Sequence, residues 1–354
     1  MSIASISQNK KTTAISDVIW LQTSFIGDIV LTTAAMTALH QARPDIRQHM
    51  ITTAIGAQVL SGHPCLASIH IFAKRDGAMR PMLKVRNALR QLRLKSPVIL
   101  QPHKSLRSTI LSKVIGYPIV TYNETTGSFL ATTSVPRVAV MHESDRIGLL
   151  LEGIGLNREA FLGKRPTLPA AKLPQSAALM SDDINWIGIA PGSVWATKRW
   201  PSSKFATLCQ LLLDQEKIGI VLLGSKDDAA AAGFIEETCL RTRPQSKSRL
   251  LNLTGQTSLK DLNGIYPRLT KLISNDSSPI HYASAFNIPT IAIFGATVAS
   301  MGFGPLADGS AIAEITLDCR PCSDHGPQVC PLGHFKCMNE LNVDRVLALA
   351  IRAL

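Results

Sequence analysis

Four short stretches of this chain hold residue types that could do chemistry, and each follows a run that reads as a β-strand. The first is Thr23-Ser24-Phe25-Ile26-Gly27-Asp28. Gly27 frees the backbone to turn, which stands Asp28 at the start of a helix, either as its cap or as a proton acceptor. The second runs from Ala190 to Pro201 (APGSVWATKRWP), where a glycine, the hydroxyls of Ser193 and Thr197 and the cation Lys198 precede a helix. Phosphate groups are bound by such a set: amide and hydroxyl donors with one positive point charge. The same residues also make an ordinary Pro/Gly loop capped by Ser202 or Ser203, and both readings stay open. The third is Ser274-Asn275-Asp276-Ser277-Ser278-Pro279-Ile280-His281. There a strand gives way to a short helix whose unpaired first amides, with Ser277, Ser278 and His281 beside them, suit a diphosphate or simply end a well-capped helix.

The fourth is Cys319-x2-Cys322-x7-Cys330-x6-Cys337, with His325 and His334 close by. Zinc favours four thiolate or imidazole ligands, but the later spacing fits no standard finger, and small buried thiols in a loop are the alternative. Several familiar signatures are missing. No G-x-G-x-x-G follows the first strand, the Ala190–Pro201 loop lacks P-loop spacing, and no Asp-x-Asp pair occurs anywhere in the chain. A carboxylate-held divalent metal bridging a nucleotide diphosphate is therefore not indicated; cations and helix termini would replace it.

The elements that must position these loops alternate between two periods. In the first half, strands are expected at Asp17–Gln22 and Pro97–Leu100, and helices after Asp28, ending before Pro44, and over Leu106–Ile115, closed by Gly116. In the second half, short apolar runs at Trp186–Ala190, Gly219–Leu223, Leu250–Leu253, Lys271–Ser274 and Thr290–Phe294 alternate with helical patterns at Ser203–Gln215, Asp227–Leu240 and Pro279–Phe286. Such alternation predicts an α/β fold with doubly wound parallel sheets, whose ligands gather at the carboxyl ends of the strands. At 354 residues the chain suits two domains of about 175 residues. The segment Lys164–Pro174 reads as the linker, so the expected domains are 1–172 and 173–354.

Charge separates these halves. Residues 1–178 hold 21 Lys+Arg against 9 Asp+Glu, whereas 179–354 hold 16 of each, so the net +12 lies wholly in the first half. Lys74 to Lys113 alone carries eleven basic residues against the single acid Asp76. That field attracts an anionic partner: nucleic acid, an anionic membrane or a phosphorylated or carboxylated substrate. Lys74, Arg75, Lys104 and Arg107 are the candidates for holding it. Aromatic stacking platforms are scarce there, which argues against nucleic acid. Seven cysteines, no long apolar run and no secretory signal together predict a cytoplasmic protein.

Taken in order, these motifs resemble glycosyltransferase family 9, the heptosyltransferases that build the inner core of lipopolysaccharide. The resemblance rests on Gly27-Asp28, then APGS-x4-KRWP, VLLG, NLTG-x-TSL, SNDSSPIHYA and IFGAT, with His142-Glu143 before Arg146 and the tail Cys330-Pro331-Leu332-Gly333-His334. The tail is most similar to the heptosyltransferase II branch. The resemblance implies a GT-B fold of two Rossmann-like domains facing across a cleft, with the acceptor on the first and a nucleotide-sugar, ADP-L-glycero-β-D-manno-heptose, on the second. It implies inverting, metal-independent transfer with no cofactor, Asp28 as general base, Lys198 on the donor phosphates, and Asp276, Ser277 and His281 at the diphosphate, with Ser193, Thr197 and Ser278 beside them. Its acceptor would be the anionic lipopolysaccharide core, reached by the basic face resting on the inner leaflet of the inner membrane. Ser278 stands where the family has glycine, and Gln22 where many members have arginine. Asp227 or Asp228 is the candidate for the ribose. A basic nucleic-acid-binding protein, or a GT-B nucleotide-sugar enzyme of other specificity, is the alternative reading.

Overall fold

The computed structural model describes residues 15–73 and 79–352, and within them the alternation closes into two parallel sheets. The first holds β1 (Asp17–Leu21), β2 (Arg47–Thr52), β3 (Ser68–Ile71), β4 (Pro97–Leu100), β5 (Ile119–Tyr122) and β6 (Thr133–Val135). The second holds β7 (Asn185–Ala190), β8 (Ile218–Leu222), β9 (Leu250–Asn252), β10 (Leu269–Asn275), β11 (Thr290–Ile293) and β12 (Ala311–Ala313). Their strand orders, β3-β2-β1-β4-β5-β6 and β12-β11-β10-β7-β8-β9, are the same order read from opposite edges. Each is the doubly wound Rossmann arrangement, whose order reverses between its first and fourth strands. The switch points therefore lie between β1 and β4, and between β7 and β10.

Helices α1 (Ile26–Ala42), α2 (Ala54–Val59), α3 (Met79–Gln91), α4 (Leu106–Ile115) and α5 (Glu143–Gly148) accompany the first sheet. Helices α6 (Ser202–Leu213), α7 (Ala229–Thr242), α8 (Leu259–Ile265), α9 (Ser278–Ala285), α10 (Lys336–Asn339) and α11 (Val343–Ile351) accompany the second. Local chemistry sets several boundaries. Ser105 caps α4 by accepting from the Ser108 amide, and Gly116 closes it at φ +88°, a left-handed angle that favours glycine. On α3, Pro81, Met82, Val85 and Leu89 face inward at helical spacing. They meet Ile19, Leu21, Ile99 and Leu111 in a core on the outer face of the first sheet. The opposite face, under α1 and α5, shares one continuous core with residues of the second half such as Trp186 of β7 and Tyr282 of α9.

Between Phe161 and Pro174 the chain forms no helix or strand, and it touches both halves. Thr167 bonds to Thr33 and Thr37 of α1, while the Ala171 amide donates to Asn263 of α8. In the second sheet, Lys271 of β10 is fully buried and its ammonium donates to the Ala350 carbonyl of α11. An acceptor is essential there, since a buried charge without one is costly. No helix among the described residues is long and apolar enough to cross a membrane.

Candidate functional site

Both switch points carry the loops singled out above. The loop after β1 ends at Asp28, which lies within α1 rather than before it: the helix begins at Ile26 and Phe25 is the N-cap residue. Asp28 accepts from the Ser24 hydroxyl at 2.7 Å and from the Phe25 amide, so it closes the helix start from inside the first turn. Its carboxyl remains half-buried, and burial raises its pKa above the ordinary aspartate value; the Ser24 and Phe25 bonds and the charges of His325 and Arg137 oppose that rise. Capping and proton acceptance are thus compatible roles for one carboxylate. Gln22, buried behind the loop, accepts from the Ser24 amide at 3.3 Å, which orients the serine toward Asp28.

The loops after β7 and β10 are bonded to each other. Asn275 Nδ2 donates to the Pro191 carbonyl at 2.7 Å, and its Oδ1 accepts from the Trp200 amide at 3.1 Å. The Lys198 ammonium lies 2.7 Å from Asp276 Oδ2, which also accepts from the Thr297 hydroxyl at 2.5 Å. Both members of the ion pair are nearly buried, and an ammonium has three donors, so Lys198 keeps donors for a second anion. Ser193 accepts from the Trp195 amide and Ser277 donates weakly to the Gly192 carbonyl. Thr197 behaves differently: its hydroxyl and amide both donate to the Pro327 carbonyl, so it anchors the Cys319–Cys337 loop. Asp228 stands against Gly192, where a β-carbon would lie 2.1 Å from its carboxylate oxygen, whereas Asp227 is exposed. Of the two candidate acids, Asp228 is the one the fold brings to the loop after β7.

The two switch points meet across the cleft. A β-carbon on Gly27 would fall 2.8 Å from His281 Cδ2 and 3.9 Å from the Ser278 Cα, so glycine here permits close approach. His281 is buried and its Nδ1 has no protein partner. Burial, reinforced by the charges of His142 and Lys198, pushes its pKa down to about 3, which keeps the imidazole neutral. Adjacent residues complete the bridge: His325 is 6.2 Å from Trp195 in parallel and 6.5 Å from Phe25 edge-on, while Gly326 lies against Lys198.

A second clamp holds the halves together. His142 Nε2 donates to the Gly304 carbonyl at 3.0 Å, and the Glu143 amide donates to Gly302 at 2.8 Å. Glu143 pairs with Arg137 and Arg146 at 2.8 and 2.9 Å, and Arg146 reaches the Met301 carbonyl and the Phe303 ring. Burial raises the Glu143 pKa, the two arginines oppose this, and the nearby Asp28 adds to it. Arg137, Glu143 and His325 thus border Asp28; the His-Glu-x-x-Arg spacing was the available signal for Glu143, His325 was noted only beside the cysteines, and folding brings it and Arg137 to Asp28.

Lys104 and Arg107 are exposed at and just after the carboxyl end of β4. Lys74 and Arg75 lie outside the described residues. Among the described residues no three His, Cys, Asp or Glu side chains are grouped to hold a metal ion, so the zinc reading of the cysteines gains no support. Cys322 instead donates to the Cys319 carbonyl at 3.3 Å, and burial pushes the Cys337 thiol up to about 11.

Residues 162–331 match the profile of Glycosyltransferase family 9 (heptosyltransferase). Lipooligosaccharide heptosyltransferase 2 of Campylobacter jejuni is 27% identical over 177 residues, 49% of this chain and 52% of that protein. The alignment with that curated relative thus spans about half its length. The fold of the family 9 glycosyltransferase from Veillonella parvula superposes with a TM-score of 0.80 at 18% identity, covering 97% of this chain and 98% of that one. For the E. coli ADP-heptose lipopolysaccharide heptosyltransferase II the TM-score is 0.73 at 19% identity, over 94% and 97% of the chains. Residues 162–331, which include the loops after β7 and β10, are thus similar to glycosyltransferase family 9, and the two-sheet architecture is the GT-B fold.

Proposed function

We propose that this chain is an inverting heptosyltransferase, which moves heptose from ADP-L-glycero-β-D-manno-heptose to the inner core of lipopolysaccharide without a divalent metal. The observation that carries the reading is the contact of the Gly27-Asp28 turn with His281 and Ser278, which sets a half-buried carboxylate beside the start of α9. In this reading residues 1–172 hold the acceptor and residues 173–354 the nucleotide-sugar.

The diphosphate sits between Lys198 and the first turn of α9, taking donors from the ammonium, from Ser277 and Ser278, and from the neutral His281 ring. Ser193 and Asp276 shape the pocket, Asp276 by fixing Lys198, and Asp228 reaches the ribose. Asp28, its proton affinity raised by burial, removes the proton of an acceptor hydroxyl. The freed oxygen attacks the anomeric carbon from the face opposite ADP, the glycosidic bond to phosphate breaks, and Lys198 meets the growing negative charge on the departing diphosphate. Lys104 and Arg107 contact phosphates or carboxylates of the acceptor.

The test is incubation with a panel of nucleotide-sugars, with and without a deacylated lipopolysaccharide core acceptor, reading nucleotide diphosphate release. The reading expects ADP release from ADP-heptose, dependent on acceptor and unchanged by EDTA. Release from a different nucleotide-sugar alone, or an EDTA-sensitive reaction, overturns it.

A further inference from the structure

The turn between β1 and α1 holds fewer protons than its contacts ask for. Ser24 Oγ lies 2.7 Å from Gln22 Oε1 and 2.7 Å from Asp28 Oδ2, and both of these oxygens are acceptors while Asp28 is ionised. A hydroxyl has one proton and fills one such contact at a time. Gln22 does not resolve the conflict by turning its amide over, because both ends of that amide are assigned. Its Nε2 donates to Thr32 Oγ1 at 3.3 Å, and Thr32 accepts there because its own proton goes to the Asp28 carbonyl at 2.7 Å. Its Oε1 accepts from the Ser24 amide at 3.3 Å. Gln22 and Thr32 are buried, which holds these roles fixed.

Which acceptor wins depends on the charge of Asp28. An ionised carboxylate is the stronger, since a charge-assisted hydrogen bond is roughly twice as strong as a neutral one. Ser24 then donates to Asp28, and its oxygen faces Gln22 Oε1 without a proton between them. Once a proton rests on Oδ2, Asp28 becomes a donor. Ser24 can accept from it and turn its own proton to Gln22, and every contact in the row is filled.

We propose that Gln22 and Ser24 form a hydroxyl switch behind Asp28: the Ser24 proton points at the carboxylate while it is ionised and turns to Gln22 when the carboxylate takes up the proton of the acceptor hydroxyl. Both are positioning residues, acting through Asp28 without touching substrate. No proton crosses the row; Asp28 gains the one that the acceptor loses, and Ser24 keeps its own. Burial strengthens a base by destabilising its ionised form, whereas the switch supports the ionised form first and the protonated form afterwards. The charged and titratable groups that face this turn from other elements are Arg137, Glu143 of α5, His325 of the cysteine loop and His281 of α9, and the variants below leave all four in place. The use of the switch in transfer rests on the function proposed above; the switch itself is tested in the free chain.

The experiment follows the Asp28 carboxyl carbon by NMR through a pH titration of the full chain labelled with carbon-13 aspartate, the signal being assigned by its loss in Asp28→Asn. Gln22→Met keeps the side-chain volume and removes the acceptor, so the Asp28 midpoint should fall by about 0.5–1 pH unit, as expected for one net hydrogen bond. Ser24→Ala takes a charge-assisted donor from the carboxylate and should raise the midpoint. In the Ser24→Ala background, Gln22→Met should have no further effect, because its influence passes through the hydroxyl. Thr32→Val frees the Gln22 amide to turn over and should lower the midpoint by less than Gln22→Met, which keeps the test available if that variant does not fold by circular dichroism. A midpoint that does not fall in Gln22→Met (or, where that variant is unfolded, in Thr32→Val) overturns the switch. So does a midpoint that does not rise in Ser24→Ala, or a Gln22→Met shift of equal size in both backgrounds. The acid limb of kcat/KM for heptose transfer should move with the midpoints. Midpoints that shift as expected in a chain without that activity, or with a limb that ignores them, would leave the switch standing and remove Asp28 as the base.

Discussion

The two sheets share one topology and differ in how their switch loops are held. In the second sheet the loops after β7 and β10 are tied to each other through Asn275–Pro191, Trp200–Asn275 and Lys198–Asp276, so Lys198 and its loop are held by protein contacts alone. In the first sheet the loop after β1 is held from within, by Gln22, Ser24 and Asp28, and the loop after β4 by Gln101, His103, Ser105 and Ser108. One frame thus yields a cross-braced pocket in one half and a self-supported turn in the other. A braced pocket suits a small ligand of fixed shape, and a separate turn can meet a large acceptor from outside.

Substitutions should separate the halves in that order of effect. Asp28→Asn should lower turnover by about 10²–10⁴ while ADP affinity by calorimetry stays unchanged. Because burial raises the Asp28 pKa, its charged form weakens the fold at pH values above the unfolded pKa. The same variant should therefore melt about 1–3 °C higher near neutral pH, read by scanning calorimetry. Lys198→Ala acts on the other half: ADP binding should weaken by about 10- to 100-fold, the worth of one charge-assisted bond, and turnover should fall with it. Stability should also drop, because Asp276 is left nearly buried without its cation.

Gly27→Ala probes the contact between the halves. Its methyl would press His281 at 2.8 Å, and His281 is fixed by its surroundings, so the cleft must open slightly. Turnover should fall about tenfold with ADP affinity kept, since a small misplacement of reacting groups is costly. The smallest effect is expected from Arg137→Gln. Arg137 holds the Asp28 pKa down, so its removal should move the acid limb of the kcat/KM profile to higher pH, with activity lost as pH falls through that limb. An unmoved or lowered limb would mean that Asp28 is not the titrating base.

Local pattern made much of the frame legible. The five apolar runs of the second half fall on β7 to β11, and Leu106–Ile115 with Gly116 is α4 and its cap, because burial on both faces and capping chemistry leave signals within a few residues. β2, β3, β5, β6 and β12 are not among the runs read from the sequence; pairing with neighbouring strands defines them. Within the site, the four loops could be chosen because glycine, hydroxyls and charge sit next to one another in sequence. The partners of those groups could not. Thr197 reads as a phosphate ligand until Pro327, 130 residues away, is seen to take its hydroxyl. The grouping of Arg137, Glu143 and His325 around Asp28 likewise exists only after the halves have met.

The buried ammonium of Lys271 gives α11 a reach beyond its own packing. Its strand runs straight into Asn275 and Asp276, the residues that brace Lys198. Fraying or trimming α11 would strip Lys271 of its carbonyl and force the middle of β10 to rearrange around an orphan charge. Damage at a helix remote from the cleft would then surface at the loops after β7 and β10.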